Sequence, residues 1–207
     1  MNTADAHSTL SRRADFEAIA QWVRPGAQVL DLGCGDGSLL RFLKDKRGVS
    51  GYGIEIDDAK LLASVRNGVN VLQSDLESGL SGFESDSFDY VILSQTLQAV
   101  RHTEQIIREM LRVGREGIVT FPNFGYWGHR LQLVLGGHMP VSRSLPYQWY
   151  NTPNVHLFTI RDFESFCREH GVRILERAVM DGGHIVSVWP NLRGELAVYR
   201  FDKGARP

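Results

Sequence analysis

One short segment, Val29-Leu30-Asp31-Leu32-Gly33-Cys34-Gly35-Asp36-Gly37, constrains this chain more than any other. An apolar run at Gln28–Leu32 predicts a strand, and the stretch Gly37–Lys46 predicts a helix that turns Leu39, Leu40, Phe42 and Leu43 inward. Three glycines join the two. Glycine allows a tight turn and lets the backbone come close to a ligand, and the helix N-terminus adds unpaired N–H groups with partial positive charge. A G-x-G pattern alone is weak evidence, but one placed between a strand and a helix is much stronger.

The alternation continues along the chain. Helical spacing at Phe16, Ile19, Ala20 and Val23 precedes the first strand, and Pro25-Gly26 closes that helix. Further strands are expected at Gly51–Ile56, Val69–Gln73, Phe88–Ser94 and Gly117–Phe121, with helices over Ala59–Asn67 and Glu104–Val113. Strands alternating with helices imply a parallel sheet covered on both faces. Residues 122–157 then break the pattern, being rich in Pro, Gly, Trp and Tyr with one short helix around Leu131, Val134 and Leu135. A connection this long is expected to be a lid or a binding loop. A helix at Ile160–Glu169 follows, with Thr159 as N-cap and Gly171 as its stop. Strand Val172–Val179 comes next, and Ile185–Trp189 and Glu195–Phe201 are extended, the second pairing beside the sixth strand. Residues 1–10 are expected to be a loose terminus. The whole of 1–207 is expected to form a single domain, α/β and Rossmann-like, with a mostly parallel seven-stranded sheet, an antiparallel C-terminal strand and 122–157 as an insertion.

Composition narrows the function classes. The net charge is -1, so no basic excess argues for nucleic acid or for an anionic membrane surface. The two cysteines, Cys34 and Cys167, form no CxxC pair, so neither a metal site nor a disulfide framework is indicated. No signal-peptide pattern and no apolar run of ~18 residues is present, which predicts a cytoplasmic protein.

Two ligand classes use the turn after a first strand. Dinucleotides favour G-x-G-x-x-G, whereas the spacing here is G-x-G-x-G with Ser38 in place of the third dinucleotide glycine. Asp31 lies two residues before the first glycine, where a carboxylate faces a pyrophosphate unfavourably but suits the ammonium end of an amino-acid ligand. The pattern therefore favours S-adenosylmethionine over NAD. Glu55, with its neighbour Ile56, ends the second strand about 20 residues on, where an acid can accept both ribose hydroxyls. Asp75, or the backbone of Leu76, is placed to read the adenine amine, and Ser94 and Gln95 end the fourth strand at the same edge. The candidate cofactor-binding set is Asp31, Gly33, Cys34, Gly35, Glu55, Ile56, Asp75, Leu76 and Ser94. Within it the Cys34 side chain is expected to be a small filler and not a nucleophile.

Leu30–Gly37 resembles motif I of class I S-adenosylmethionine-dependent methyltransferases. From about Leu10 to Phe201 the chain resembles the MetW family of methionine biosynthesis. VLDLGCGDGSL at Val29–Leu39, FDYVILSQTLQAVRHTE at Phe88–Glu104 and REMLRVG at Arg108–Gly114 carry the resemblance. So do FPNFGYW at Phe121–Trp127, LVLGGHMPVSRSLPYQWYNTPN at Leu133–Asn154 and HLFTIRDFESFC at His156–Cys167. The resemblance implies S-adenosylmethionine as cofactor, with Asp31, Gly33, Gly35, Glu55 and Asp75 contacting it. It also implies a link to homoserine O-acyltransferase as partner. The alternative is a stand-alone small-molecule methyltransferase with an unknown acceptor.

No catalytic residue is fixed by the sequence. His129, His138, Tyr147, Tyr150 and His156 are the candidate bases in or beside the insertion, and their spacing selects none. Pro122-Asn123 does not reproduce the Asn/Asp-Pro-Pro-aromatic sequence of amino-group methyltransferases and follows a different strand. The insertion's aromatics, Phe124, Tyr126, Trp127, Tyr147, Trp149 and Tyr150, are expected to pack as a lid over the chain's own sheet. If exposed instead, they would mark a protein interface.

Overall fold

The computed structural model describes residues 14–204, so the expected loose terminus at 1–10 lies outside the described residues. Residues 14–22 are helical (α1) and lead into β1 (Gln28–Leu32), α2 (Ser38–Arg47), β2 (Ser50–Glu55), α3 (Asp58–Arg66) and β3 (Val71–Gln73). β4 (Phe88–Ser94), α4 (Thr103–Val113) and β5 (Gly114–Pro122) follow, then α5 (Trp127–Gly136) and α6 (Ile160–Glu169). The chain continues through β6 (Arg173–Asp181), β7 (His184–Ile185), α7 (Pro190–Arg193) and β8 (Leu196–Asp202).

The strands form one sheet in the order β3-β2-β1-β4-β5-β8-β6-β7. The first five run parallel. β8 slots antiparallel between β5 and β6, as the pairing expected beside the sixth strand requires. The sheet has eight strands where seven were expected. The eighth is a two-residue edge, His184 and Ile185 pairing with Asp181 and Met180. Val186 N still donates to Val179 O of β6, but the expected extended stretch then leaves the sheet and Pro190 opens α7. β5 is longer than expected, since β4 and β8 pair with it on either side.

Central parallel strands are covered on both faces and so are almost continuously apolar. β4 follows this rule, with Phe88 and Tyr90 through Leu93 buried. One face meets α4 and α6, where Ile107, Met110, Phe163 and Cys167 pack on Leu30, Leu32, Val91 and Leu93. The other meets α1 and α2, where Ile19, Val23, Leu39 and Leu43 pack on Val29, Tyr90 and Ile92. Thr159 caps α6 as expected, through a capping box in which Thr159 Oγ1 accepts from Asp162 N and Thr159 N donates to Asp162 Oδ2. Gly171, at φ 67°, ends the helix just past its C-cap.

Candidate functional site

β1 delivers the glycine loop to the C-terminal edge of the parallel strands. Gly33, Gly35 and Gly37 all have positive φ, 67°, 60° and 75°. Two of them are packed. A Cβ on Gly33 would meet Thr96, and one on Gly37 would meet Ser64 and Val69. Gly35 differs, because a Cβ there would meet nothing within 4 Å. Its conformation is left-handed, yet the space beside it is open. Gly37 is also the N-cap of α2 and supplies no side-chain cap; Asp36 Oδ1 instead accepts from Ser38 N, the first N–H of that helix.

Asp31 and Glu55 flank this loop. Asp31 pairs in register with Gly53 of β2 and Ile92 of β4, so it sits in the middle of the sheet on the face that α1 and α2 cover. It is 1% exposed, and its Oδ1 has no hydrogen-bond partner. Burial, and secondarily the Glu55 charge, push its carboxyl up to about 8. An unpaired acceptor in such a place costs about 1–3 kcal/mol. Glu55 is held differently. Its Oε2 accepts from Gly35 N at 2.9 Å, and its Oε1 accepts from Ile56 N and Asp57 N at 2.9 and 3.0 Å. A carboxylate has about four acceptor positions. Three are filled, so holding both hydroxyls of a ribose would require Glu55 to release a backbone donor.

The other candidates are placed less closely together. The Cys34 thiol sits 3.7 Å from Ser64 Oγ and packs where Gly53 has no side chain. Burial, then the Asp31 charge, push it up to about 12, so it is an inert filler. Ile56 is 60% exposed. Asp75 is exposed and caps its own turn, accepting from Glu77 N, while Leu76 leans on the core. Ser94 Oγ pairs with Thr120 Oγ1 at 3.2 Å.

Sequence reasoning placed Gln95 with Ser94 at this edge but missed its partner, Asp15. Gln95 follows Ser94 at φ 49°, its backbone N bonded to Thr120 and its side chain donating to Asp15 of α1. Asp15 is fully buried, and nothing in the helical pattern of α1 singled it out. Asn123 is the other omission. Its Nδ2 donates to Asn191 O and Gly194 O, and its Oδ1 accepts from Gly125 N and Ile160 N. It therefore staples the start of the insertion to α6 and α7. An isolated Asn after a strand gives no sequence signal for that.

The histidines of the insertion separate clearly. His129 is buried, with Nδ1 on Asn123 O and Nε2 2.8 Å from Ser142 Oγ. Since a carbonyl can only accept, Nδ1 carries the proton and Nε2 accepts from the serine. Burial lowers its pKa, which keeps it neutral. His129 is thus a structural pin with both nitrogens engaged. His156 Nε2 lies 3.2 Å from Arg101 O. His138, Tyr147 and Tyr150 are exposed. The aromatics do not form the expected lid packed on the chain's own sheet. Trp149 and Tyr150 are 73% and 70% exposed and contact each other edge to face.

A cavity of about 640 Å³ lies away from the glycine loop, between α4, α6 and the end of β8. Arg108, Arg112 and Lys203 line it, and each has an acidic partner, in Glu104, Glu109 and Asp86.

The family described as Methionine biosynthesis protein MetW matches residues 13–201. The chain belongs to the MetW family. A relative from Rhodopirellula baltica, the bifunctional methionine biosynthesis protein MetXA/MetW, is 36% identical over 212 residues, which cover 96% of this chain and 34% of the relative. A second relative, phosphoethanolamine N-methyltransferase 2 of Caenorhabditis elegans, is 29% identical over half of this chain and a quarter of its own. The chain therefore spans about a third or less of the length of these curated relatives. Among solved structures, magnesium protoporphyrin IX methyltransferase from Synechocystis, with bound SAH, matches with TM-score 0.70 and 18% identity over 97% of this chain and 87% of that one. An S-adenosylmethionine-dependent methyltransferase from Mesorhizobium loti matches with TM-score 0.66 and 17% identity over 91% of this chain and 97% of that one. This MetW-family chain thus has the fold of S-adenosylmethionine-dependent methyltransferases. Among the described residues, no helix is long and apolar enough to cross a membrane.

Proposed function

We propose that this chain is an S-adenosylmethionine-binding protein of methionine biosynthesis that acts together with homoserine O-acyltransferase. The unpartnered Oδ1 of Asp31 carries the cofactor half of this reading. A buried carboxyl oxygen with no donor suits the ammonium of an amino-acid ligand, and a hydrogen bond to a charged group contributes about 1.5–3 kcal/mol. The open space at Gly35 admits the ligand's backbone-facing edge. Glu55 accepts one ribose hydroxyl at its remaining acceptor position and takes the second by releasing Gly35 N. Asp75 and Leu76 border the adenine, and Gly33, Ile56 and Ser94 line the same edge. The cofactor would bring a methyl group activated on a sulfonium centre.

The partner half is supported by the relative that joins MetXA and MetW in one polypeptide. Fusion holds two units at high effective concentration, which matters where they work together. The acylation of homoserine by its acyltransferase, measured with and without this chain across S-adenosylmethionine concentrations, tests the reading. A rate that depends on the chain and on the cofactor is the expected result. An unchanged rate, together with turnover of the cofactor to S-adenosylhomocysteine in a metabolite mixture, would replace it with the stand-alone methyltransferase.

A further inference from the structure

α5 differs from α2, α4 and α6, each of which buries at least three side chains. Its Trp127, Leu131, Val134 and Leu135 recur at helical spacing and form one apolar stripe. Their exposures are 50%, 46%, 78% and 77%, and Met139 just beyond the helix is 41% exposed. Only His129 is buried among the ten helical residues. A ten-residue helix is marginal in water unless a face packs on something. α5 is tied down at few points, by His129, by Arg130 Nε donating to Gly125 O, and by Gln132 Oε1 accepting from Val141 N. These ties fix its position while its apolar side stays uncovered. A contiguous apolar face of this kind marks an interaction site.

The occupants can be sorted by chemistry. A helix lying in a membrane surface carries a Lys/Arg-rich polar face, whereas Arg130 is the one such residue of α5. The relative that carries MetXA and MetW on one chain points to a protein partner, and the family match over 13–201 runs through α5. α5 also follows β5 at the same end of the parallel strands as the glycine loop, so a protein seated there borders the mouth of the cofactor site.

We infer that the Trp127–Leu135 stripe of α5 is the face on which homoserine O-acyltransferase docks. This rests on the partnership proposed above and assigns it a surface. The test is binding of the full chain to the purified acyltransferase, measured by sedimentation. The wild type is compared with a Val134→Glu, Leu135→Glu double variant and with Leu62→Glu, an exposed leucine of α3. Calorimetric binding of S-adenosylmethionine to each variant reports that its fold is intact. The expected result is at least a tenfold loss of acyltransferase affinity in the α5 variant and no change in Leu62→Glu. Equal affinity of both variants would overturn the surface while leaving the partnership standing. No affinity in the wild type would remove the partnership and the surface with it. Self-association of the chain, or binding to anionic lipid vesicles, abolished by the α5 substitutions without effect on the acyltransferase would assign the stripe to another occupant and overturn the inference.

Discussion

α4 and α5 stand on either side of β5, and they use similar raw material in opposite ways. α4 turns Ile106, Ile107, Met110, Leu111 and Val113 into the core. α5 carries Leu131, Leu133, Val134 and Leu135, all of them more than 40% exposed, and buries His129 instead. The difference lies in their neighbours. α4 returns from β4 to β5 across the sheet and packs on it, whereas α5 leaves the sheet edge and is anchored through polar ties at its start. Apolar periodicity in a sequence therefore says that a face needs cover, and it does not say that the same chain provides it.

Substitutions sharpen the contrast. Met110→Ala removes a fully buried side chain of α4 and should cost about 2–5 kcal/mol, measured by denaturant unfolding. Leu135→Ala on α5 should change stability by less than about 0.5 kcal/mol in the same experiment. Equal costs would mean that α5 packs on the chain itself. Asn123→Ala falls between them. It frees two buried backbone N–H groups and two carbonyls, and should cost about 1–3 kcal/mol. It should also open the start of α5 to hydrogen exchange while α4 stays protected.

Asp31→Asn should act in the opposite direction. The Asp31 carboxyl rises from 3.8 to about 8 in the folded chain. Between those values the native state keeps a proton that the unfolded chain has lost, so this group makes stability fall as pH rises. Asparagine removes that dependence. The variant should gain at least about 1 kcal/mol near pH 8, a rise of about 2–4 °C in Tm for a chain of this size, and gain little near pH 4. A lower Tm at pH 8 would show that the carboxylate has a stabilising partner.

The parallel core was legible because short strands buried on both faces leave continuous apolar runs, as at Val91–Leu93, and because Gly33, Gly35 and Gly37 punctuate a strand-to-helix turn. Thr159 and Gly171 were legible for a local reason, since capping chemistry is written within a few residues. Edge strand β7 was not, because two residues carry no period. The hold on Glu55 by Gly35 N and the link from Asp15 to Gln95 join residues 20 and 80 apart, and no local pattern encodes such pairings. The aromatics of 122–157 were expected to cover their own sheet, but composition cannot say which side of a loop meets the core. Trp149 and Tyr150 face outward.

The central claim is that the glycine loop and Asp31 receive S-adenosylmethionine, and titration calorimetry at pH 7 in two buffers of different ionisation enthalpy tests it most directly. Asp31 holds its proton in the free protein and should give it up to face an ammonium. The account predicts saturable binding with release of about one proton, lost in Asp31→Asn and in Gly35→Val. Binding of NADH but not of S-adenosylmethionine, or undiminished S-adenosylmethionine affinity in either variant, would contradict it.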